Sequence, residues 1–545
     1  RETYCGTIAY EIEQIADHED RVWLREAIES GRFREPQATL RRMEVLERLI
    51  QVDAFERFLR RTYLGQKTFS IEGIDALVPM IDEVIDLCAE AGSEEIMIAM
   101  AHRGRLSVMS HTIGRPLDAA LAEFEGHMEF DDEGEDADLG VRETAGDVKY
   151  HLGAEGTYTT RDGRAIRVHL AANPSHLEQV NPVLSGQTRA RQTDRDQAEV
   201  LFDHSKAVPV LVHGDAAFPG QGVVAETLNL ADLPGYTTGG TIHIIANNQI
   251  GFTTEPSDAR STRHASDLAR GFDFPIIHVN ADDIDACMSA IRLAVAWRER
   301  TGRDALIDLV GYRRFGHNEL DEPAYTQPVM SRTIKQHEPV AGIYAEKLIS
   351  EGALTRDRLE EVISHTEQRL SEAHARVRKA VADGTYEEPE EPAHEPVPPD
   401  RPSVDTAVDA DTLIRLNEEL LTLPEGFEIH PKLGPQLERR REAMTDDEPA
   451  IIWAHAEALA FASLLIEGVP IRMTGQDVQR GTFSQRHMVL HDMADDEAWH
   501  QGSGPTYTPM AELSDATAGI EIYNSPLSEA AVVGFEYGYR AEAPE

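Results

Sequence analysis

VPVLVHGDAAFPGQGVVAETLNLADLPGYTTGGTIHIIANNQIGFTT, residues 208–254, decides what kind of fold this chain adopts. Its opening run Val208–Val212 is short, apolar and rich in valine, which predicts a buried strand. His213-Gly214-Asp215-Ala216-Ala217 follows, then a glycine-punctuated turn, Pro219-Gly220-Gln221-Gly222. Val223–Leu230 predicts a helix, and Thr241–Ala246 a second strand that runs out at Asn247-Asn248. Strand, helix and strand within this length make a βαβ unit, whose ligands sit at the carboxyl ends of its strands. Asp215 and Asn248 stand at two such ends. A carboxylate and an amide oxygen are hard donors that can close on one small divalent cation. Mg²⁺ keeps octahedral geometry and completes its shell with phosphate oxygens. The expectation is a metal-bridged diphosphate between two strand ends. Taken singly, Asp215 is also a turn-former after a strand, and Asn248 a loop cap.

Composition narrows the function classes. A chain of 545 residues is long enough for two or three domains with separate cores. It carries 97 acidic against 52 basic residues, a net charge of −45, and only seven of the basic residues are lysine. A surface this acidic repels phosphate, which argues against non-specific binding to nucleic acid or anionic membrane. It fits a heavily hydrated surface, adaptation to high salt being one reading. Cys5, Cys88 and Cys287 are far apart and odd in number, so they give neither a disulfide framework nor zinc spacing. They fit a reducing cytoplasm. No apolar run reaches membrane-spanning length, and the N-terminus lacks a signal-peptide pattern. The chain lacks an initiator Met and stops at Ala541-Glu-Ala-Pro-Glu545, so we expect a piece of a longer protein.

The spacing of Gly214-Asp215 from Asn247-Asn248 resembles the diphosphate motif of thiamine-diphosphate enzymes: Gly-Asp-(Gly/Ala), some thirty residues, then Asn-Asn. HGDAAFPGQGVVAETLNL (213–230), NNQIGFTT (247–254) and YRRFGHNELDEP (312–323) resemble the thiamine-dependent 2-oxoglutarate dehydrogenase (decarboxylase) component, in its actinobacterial type. The resemblance implies an α/β, transketolase-like fold of parallel sheets flanked by helices, with a helical N-terminal segment. It implies thiamine diphosphate and Mg²⁺, the metal held by Asp215, Asn248 and the backbone carbonyl of Ile250, with Ala216 and Ala217 beside the cofactor. The implied reaction is oxidative decarboxylation of 2-oxoglutarate through the thiamine ylid. The succinyl group would pass to a lipoyl group on a partner acyltransferase, and dihydrolipoyl dehydrogenase would act through that partner. A homodimer is implied as well.

Taken in order, residues 1–92 read as a helical N-terminal segment. Met43, Leu46, Ile50, Ala54 and Phe58 share one helical stripe, and a further helical run extends from Ser70 through Leu87. YCGTIAYEIEQI (4–15) and KTFSIEGIDALVP (67–79) resemble the family's entry segment, and no chemistry is assigned there. Residues 93–385 form the expected diphosphate-binding domain. Glu95–Ala101 predicts a strand ending in His102-Arg103-Gly104-Arg105, two basic side chains suited to an anion in a crevice. By resemblance His102 contacts the substrate, and Arg103 the substrate carboxylate or the cofactor. The acidic run 131–138, DDEGEDAD, reads as a solvated loop. In GDVKYHLG (146–153), His151 is by resemblance a second substrate-contacting histidine, a core histidine being the alternative. The strand Ile166–Ala171 leads into Asn173-Pro174-Ser175-His176-Leu177-Glu178, a turn and helix cap in its own right. The resemblance makes Ser175 and Leu177 cofactor contacts, Ser175 also bordering the substrate, with His176 near the reacting centre. Pro275–Asn280 and Ala305–Val310 are further strands. Arg263-His264-Ala265-Ser266-Asp267 departs from the Tyr-Cys-Thr-Asp expected there by resemblance.

Residues 330–380 read as charged amphipathic helix. The Pro- and Glu-rich stretch within 386–405 is expected to be an extended linker. Residues 406–545 are then the first part of a pyrimidine-binding domain. In it, Ile451–Ile466 is apolar on nearly every face and predicts a buried helix interrupted by Glu457, the alternative for that carboxylate being an exposed stripe or a local partner such as His455. By resemblance Glu457 bonds the cofactor's pyrimidine ring. His487, at the end of the glycine-bearing loop from Thr474, would reach the active site of a facing subunit and its substrate. Three alternatives stand beside this reading. One is a thiamine enzyme for another 2-oxo acid, a 2-oxoadipate or pyruvate dehydrogenase component or a carboligase. Another is a non-catalytic subunit that keeps the fold. A third is a nucleotide-binding βαβ protein, for which no Gly-x-Gly-x-x-Gly or Walker loop speaks.

Overall fold

The computed structural model describes residues 3–34, 37–125, 148–386, 405–445, 451–494 and 504–543. The acidic run 131–138, Gly146-Asp147 and nearly all of the expected linker lie outside the described residues.

Ten strands precede residue 311: β1 (Ile8–Glu11), β2 (Glu95–Met100), β3 (Ala154–Thr159), β4 (Ala165–Leu170), a small β5–β6 pair (Thr193–Asp194, Leu201–Phe202), β7 (Ala207–Gly214), β8 (Ile242–Asn247), β9 (Ile276–Asn280) and β10 (Ala305–Val310). Eight of them make one sheet in the order β1-β9-β10-β8-β7-β2-β4-β3. Its six central strands are parallel, and β1 and β3 close the two edges antiparallel. The central strands are continuous apolar runs because helices cover both faces. Every residue of β2 is buried, as are the first seven of β7. At the other edge β4 alternates buried with more open residues, and β3 half-buried with exposed ones, as half-solvated strands do. The order in which strands are added reverses between β2, which continues to β4, and β7, which continues to β8 on the other side. Such a switch point opens a crevice at the carboxyl ends of the strands.

The N-terminal segment is mainly helical, with α1 (His18–Glu29), α2 (Thr39–Thr62) and α3 (Leu77–Ala91). On α2 the stripe expected from sequence packs inward, Leu46, Ile50 and Ala54 each at most 4% exposed. Two features differ from expectation. Ile8–Glu11 is a strand paired with β9, too short for a periodicity to reveal. The next helix starts at Leu77 rather than Ser70. Gly73 there turns through φ 108°, where an added Cβ would stand 2.1 Å from the Tyr312 carbonyl oxygen. This segment shares one hydrophobic core with the sheet and with the helix Ile284–Thr301, whose Trp297 is fully buried.

After residue 405 the described chain forms a smaller α/β unit. It contains the helices Ala410–Leu420, Gly434–Ala443 and Trp453–Ile466 and the parallel pair Ile471–Gly475 and Ile520–Asn524. Its last helix, Ala531–Glu542, lies across the helix Val180–Arg191 of the first unit. The crossing is close enough that a Cβ on Gly538 would stand 1.9 Å from the Val183 carbonyl oxygen, and one on Gly186 1.8 Å from that of Phe535. Among the described residues no helix is long and apolar enough to cross a membrane. Cys5, Cys88 and Cys287 are free thiols.

Candidate active site

Asp215 and Asn248 leave neighbouring parallel strands at one edge, with Gly214 opposite Ala246. Paired strands lie about 4.8 Å apart, so the two residues start within reach of one ion. The loop after Asn248 folds back over the turn after Asp215. At Gly251 an added Cβ would lie 2.5 Å from the Ala216 Cβ, so only glycine lets the two turns touch. Gln249 (φ 64°) and Phe252 (φ 56°) take left-handed backbone angles that non-glycine residues seldom adopt. Gly251 and Thr254 exchange backbone hydrogen bonds, and the Ile250 N–H donates to Asn248 Oδ1 at 3.2 Å. Asp215 and Asn248 are 4% and 7% exposed. Burial pushes the Asp215 carboxyl up to about 6; Arg260 opposes the rise, and Asp308 adds to it.

Arg260, which the sequence reading did not single out, stands with Nη1 4.0 Å from Asp215 Oδ2. Its Nε and Nη1 are buried with no hydrogen-bond partner among the described residues. Buried donors without acceptors cost free energy. A guanidinium offers them in a fork that matches phosphate oxygens. A buried carboxyl, an amide oxygen and an unsatisfied guanidinium therefore fit a divalent cation bridged to a diphosphate. Ala216 and Ala217 add no bulk beside it.

Across the switch crevice, the end of β2 supplies His102 and Arg103. Arg103 donates from Nη1 to the Ser70 carbonyl at 2.8 Å and from Nη2 to that of His317 at 3.1 Å. Burial lowers it to about 10, and the Arg313 charge adds to the effect. Arg103 thus stays a cation at neutral pH. His102 packs on Phe69 (ring centroids 4.2 Å) and His317 (5.4 Å). Burial, with Arg103 second, pushes His102 down to about 3; the same two influences hold His317 at about 4. Both rings are neutral at pH 7 and offer one N–H each rather than a positive charge. His151 joins this cluster: its Nδ1 lies 3.0 Å from the Asn173 carbonyl and its Nε2 3.3 Å from Ser175 Oγ. Ser175, His176 and Leu177 are exposed on the loop beside it.

Beneath these loops run buried polar chains that fix the strand ends. Asn247 Nδ2 donates to Asp308 Oδ1 at 2.8 Å. On the other side, His213 Nδ1 meets Glu178 at 2.7 Å, His213 Nε2 meets His243 at 2.9 Å, and His243 Nε2 meets Asp304 at 3.0 Å. Glu178 thereby ties the Ser175 loop to the strand that delivers Asp215.

In the second unit, Glu457 is held by both oxygens to Arg486, at 2.8 and 2.9 Å, with its side chain 30% exposed. The expectation of a buried carboxylate is corrected here: Glu457 is partly open and ion-paired, nearer to the alternative of an open stripe. His455 bonds Asn417 at 2.8 Å instead. The helix is not buried all round: Trp453, Ala456, Ala460 and Leu464 form an open stripe, Trp453 at 93%. His487 sits at φ 48° with Nε2 2.9 Å from the Ser484 carbonyl. Among the described residues no hydrogen bond or ion pair joins Glu457 or His487 to the strand-end residues. The fold of one chain thus assembles His102, Arg103, His151, Ser175, Asp215 and Asn248, and leaves Glu457 and His487 in a second group. Arg260, His317 and Phe69 join the first group only through tertiary contacts. Phe69 and His317 carried one sequence signal, membership in words already noted for other residues, and Arg260 carried none.

Residues 72–384 match the family described as "Dehydrogenase E1 component", and residues 449–544 match "Transketolase, pyrimidine binding domain". Among similar curated proteins are three named 2-oxoglutarate dehydrogenase E1 component. That of Bacillus pumilus (strain SAFR-032) is 48% identical over 547 residues. The proteins of Geobacillus sp. (strain WCH70) and Bacillus subtilis (strain 168) are 49% and 47% identical. Each comparison covers 100% of this chain and 56–57% of the relative, so the chain spans little more than half their length. A family match over more than half the chain, on a parallel sheet with this strand-end site, leads to one conclusion: the chain belongs to the dehydrogenase E1 component family.

Proposed function

We propose that this chain is the cofactor-binding part of a thiamine-diphosphate-dependent 2-oxoglutarate dehydrogenase, with residues 93–385 carrying the diphosphate site and residues 406–545 the pyrimidine site. The observation that carries the reading is the pairing of buried Asp215 and Asn248 at adjacent strand ends, beside the unsatisfied donors of Arg260. Mg²⁺ would be held by Asp215, Asn248 and the Ile250 carbonyl, all hard oxygen donors. When bound, thiamine diphosphate supplies a nucleophilic carbon and an electron sink for decarboxylating a 2-oxo acid.

This chain's residues position and neutralise. Arg103 is the fixed cation for a substrate carboxylate, and its fork is already oriented by the Ser70 and His317 carbonyls. Neutral His102 donates a hydrogen bond without adding charge, and His151, held by the Asn173 carbonyl, faces Ser175. Ser175 and Leu177 border the cofactor. Glu457 takes the pyrimidine ring once it exchanges Arg486 for that partner, and His487 closes over the substrate. The open stripe Trp453-Ala456-Ala460-Leu464 supports a homodimer in which Glu457 and His487 serve a facing subunit. The four-carbon acyl group then passes to a lipoyl group of a succinyltransferase, served in turn by dihydrolipoyl dehydrogenase. Cytoplasmic residence goes with the three free thiols.

The test has two arms. Calorimetry on this chain should show thiamine diphosphate binding that requires Mg²⁺ and is lost in Asp215→Ala. Full-length protein assayed anaerobically with ferricyanide should turn over 2-oxoglutarate with a higher kcat/KM than 2-oxoadipate or pyruvate. Mg²⁺-independent binding overturns the site, and preference for another acid overturns the substrate.

A further inference from the structure

The β1 edge of the large sheet carries a second cluster that the reaction above leaves unused. Glu11 on β1, His264 just before the short helical turn Ala265–Gly271, and His278 on β9 each offer one ligand atom, and these atoms lie within 4.8 Å of one another. Two imidazoles and a carboxylate are a common donor set for zinc-class ions. All three residues are partly open, so solvent and an ion can reach them.

The surroundings are arranged as metal sites require. Histidine ligands donate their other ring N–H to a carboxylate, which fixes the ring and makes it a better donor. His278 does this: its Nδ1 lies 3.0 Å from Asp308 Oδ2, leaving Nε2 toward Glu11 Oε1 at 2.8 Å. Asp308 is fully buried and is held in turn by Asn247. Glu11 is oriented through its other oxygen, Oε2, by Arg270 Nε at 2.5 Å, so Oε1 is the oxygen left to ligate. His264 leans on His278 with ring centroids 4.4 Å apart. Three carboxylates, of Glu11, Asp267 and Asp308, stand against the one guanidinium of Arg270.

We propose that Glu11, His264 and His278 bind one zinc-class divalent ion, with a solvent position completing the shell. Zn–N and Zn–O bonds are roughly 2.0–2.2 Å long. Tetrahedral ligands at those lengths stand about 3.4 Å apart, so the widest pair closes by no more than about 1.4 Å from the 4.8 Å limit, while Glu11 Oε1 and His278 Nε2, 2.8 Å apart, open by about 0.6 Å, both side-chain adjustments. The ion takes the place of the proton shared between His278 and Glu11, and that proton leaves to solvent. It joins β1, β9 and the 264–271 turn into one unit. The site is structural: it pins the N-terminal strand to the sheet edge, and Asp308 and Asn247 connect that edge to the Asn248 loop.

The experiment titrates Zn²⁺ into the chain with excess Mg²⁺ present, so that the Asp215–Asn248 site does not compete. Isothermal calorimetry should give one equivalent, with affinity at least tenfold weaker in His264→Gln and in Glu11→Gln. Zn²⁺ should raise the melting temperature of the parent chain and leave that of His264→Gln unmoved. Both variants are to match the parent's circular dichroism without metal; His264 is partly open, so its replacement leaves the core intact. Co²⁺ in place of zinc should give a spectrum of nitrogen and oxygen ligation. Absence of a stoichiometric site, an affinity in either variant equal to the parent's, or thiolate charge-transfer bands from a cysteine would overturn the proposal.

Discussion

Replacing Gly538 by Ala tests whether the helix crossing positions the site. Gly538 lies in the helix Ala531–Glu542, where an added Cβ stands 1.9 Å from the Val183 carbonyl oxygen and 2.7 Å from its carbon. The obstacle is backbone, so a side-chain rotation cannot relieve it, and the helices must part by more than about 1 Å to reach a normal contact. Alanine gains about 1 kcal/mol over glycine in a helix interior. Overpacking a tight contact costs about 1–3 kcal/mol, and more where backbone must move. The expected net effect is a destabilisation on the order of 1–2 kcal/mol. The functional effect should exceed the stability effect, because Val183 lies in the helix Val180–Arg191, directly after the Ser175–Glu178 loop. A displacement of about 1 Å in a positioned group can lower a rate about a hundredfold. Urea denaturation gives the first quantity, and calorimetric thiamine diphosphate affinity in Mg²⁺ the second. Gly342→Ala is the control: the atoms nearest its new Cβ belong to the flexible Glu338 side chain, from 3.1 Å, and it should be neutral or stabilising. If Gly538→Ala is as stable as Gly342→Ala and binds cofactor like the parent, the crossing does not set the site.

Three further outcomes follow from the geometry. Arg260→Met removes the unsatisfied fork beside Asp215 and should weaken Mg²⁺-dependent thiamine diphosphate binding about 10- to 100-fold, as loss of charge-assisted bonds does; unchanged affinity refutes its role. Glu56, 8% exposed and bonded by Ser107 Oγ at 2.8 Å, is pushed by burial up to about 7, against about 4.3 unfolded. Its native state keeps a proton that the unfolded chain releases, so this stability is present below pH ~4 and lost as pH rises through 7. Glu56→Gln should remove a slope worth a few kcal/mol between about pH 4 and 7 in denaturation midpoints, and parallel curves for parent and variant would contradict this. Arg486→Ala strips a partly exposed bidentate partner from Glu457 and should cost about 1 kcal/mol after allowance for solvent; the double variant with Glu457→Gln should recover most of it, and additive losses would argue against the pair.

The central strands and their order along the chain were legible because parallel strands buried on both faces are written as unbroken apolar runs, as in Val208–Val212 and Ala305–Val310. The strand-end residues Asp215 and Asn248 were legible for the same reason: their places follow from where those runs stop. Three things needed the tertiary structure. Ile8–Glu11 became a strand only because β9 offers an open edge 265 or more residues away in sequence, a pairing no local pattern encodes. Glu457 proved to be a paired, partly open carboxylate, because helical periodicity states which faces are apolar and not which of them this chain covers. Arg260, His317 and the Glu11–His264–His278 cluster gather from segments distant in sequence, and their protonation and free donors depend on neighbours that folding alone brings within reach.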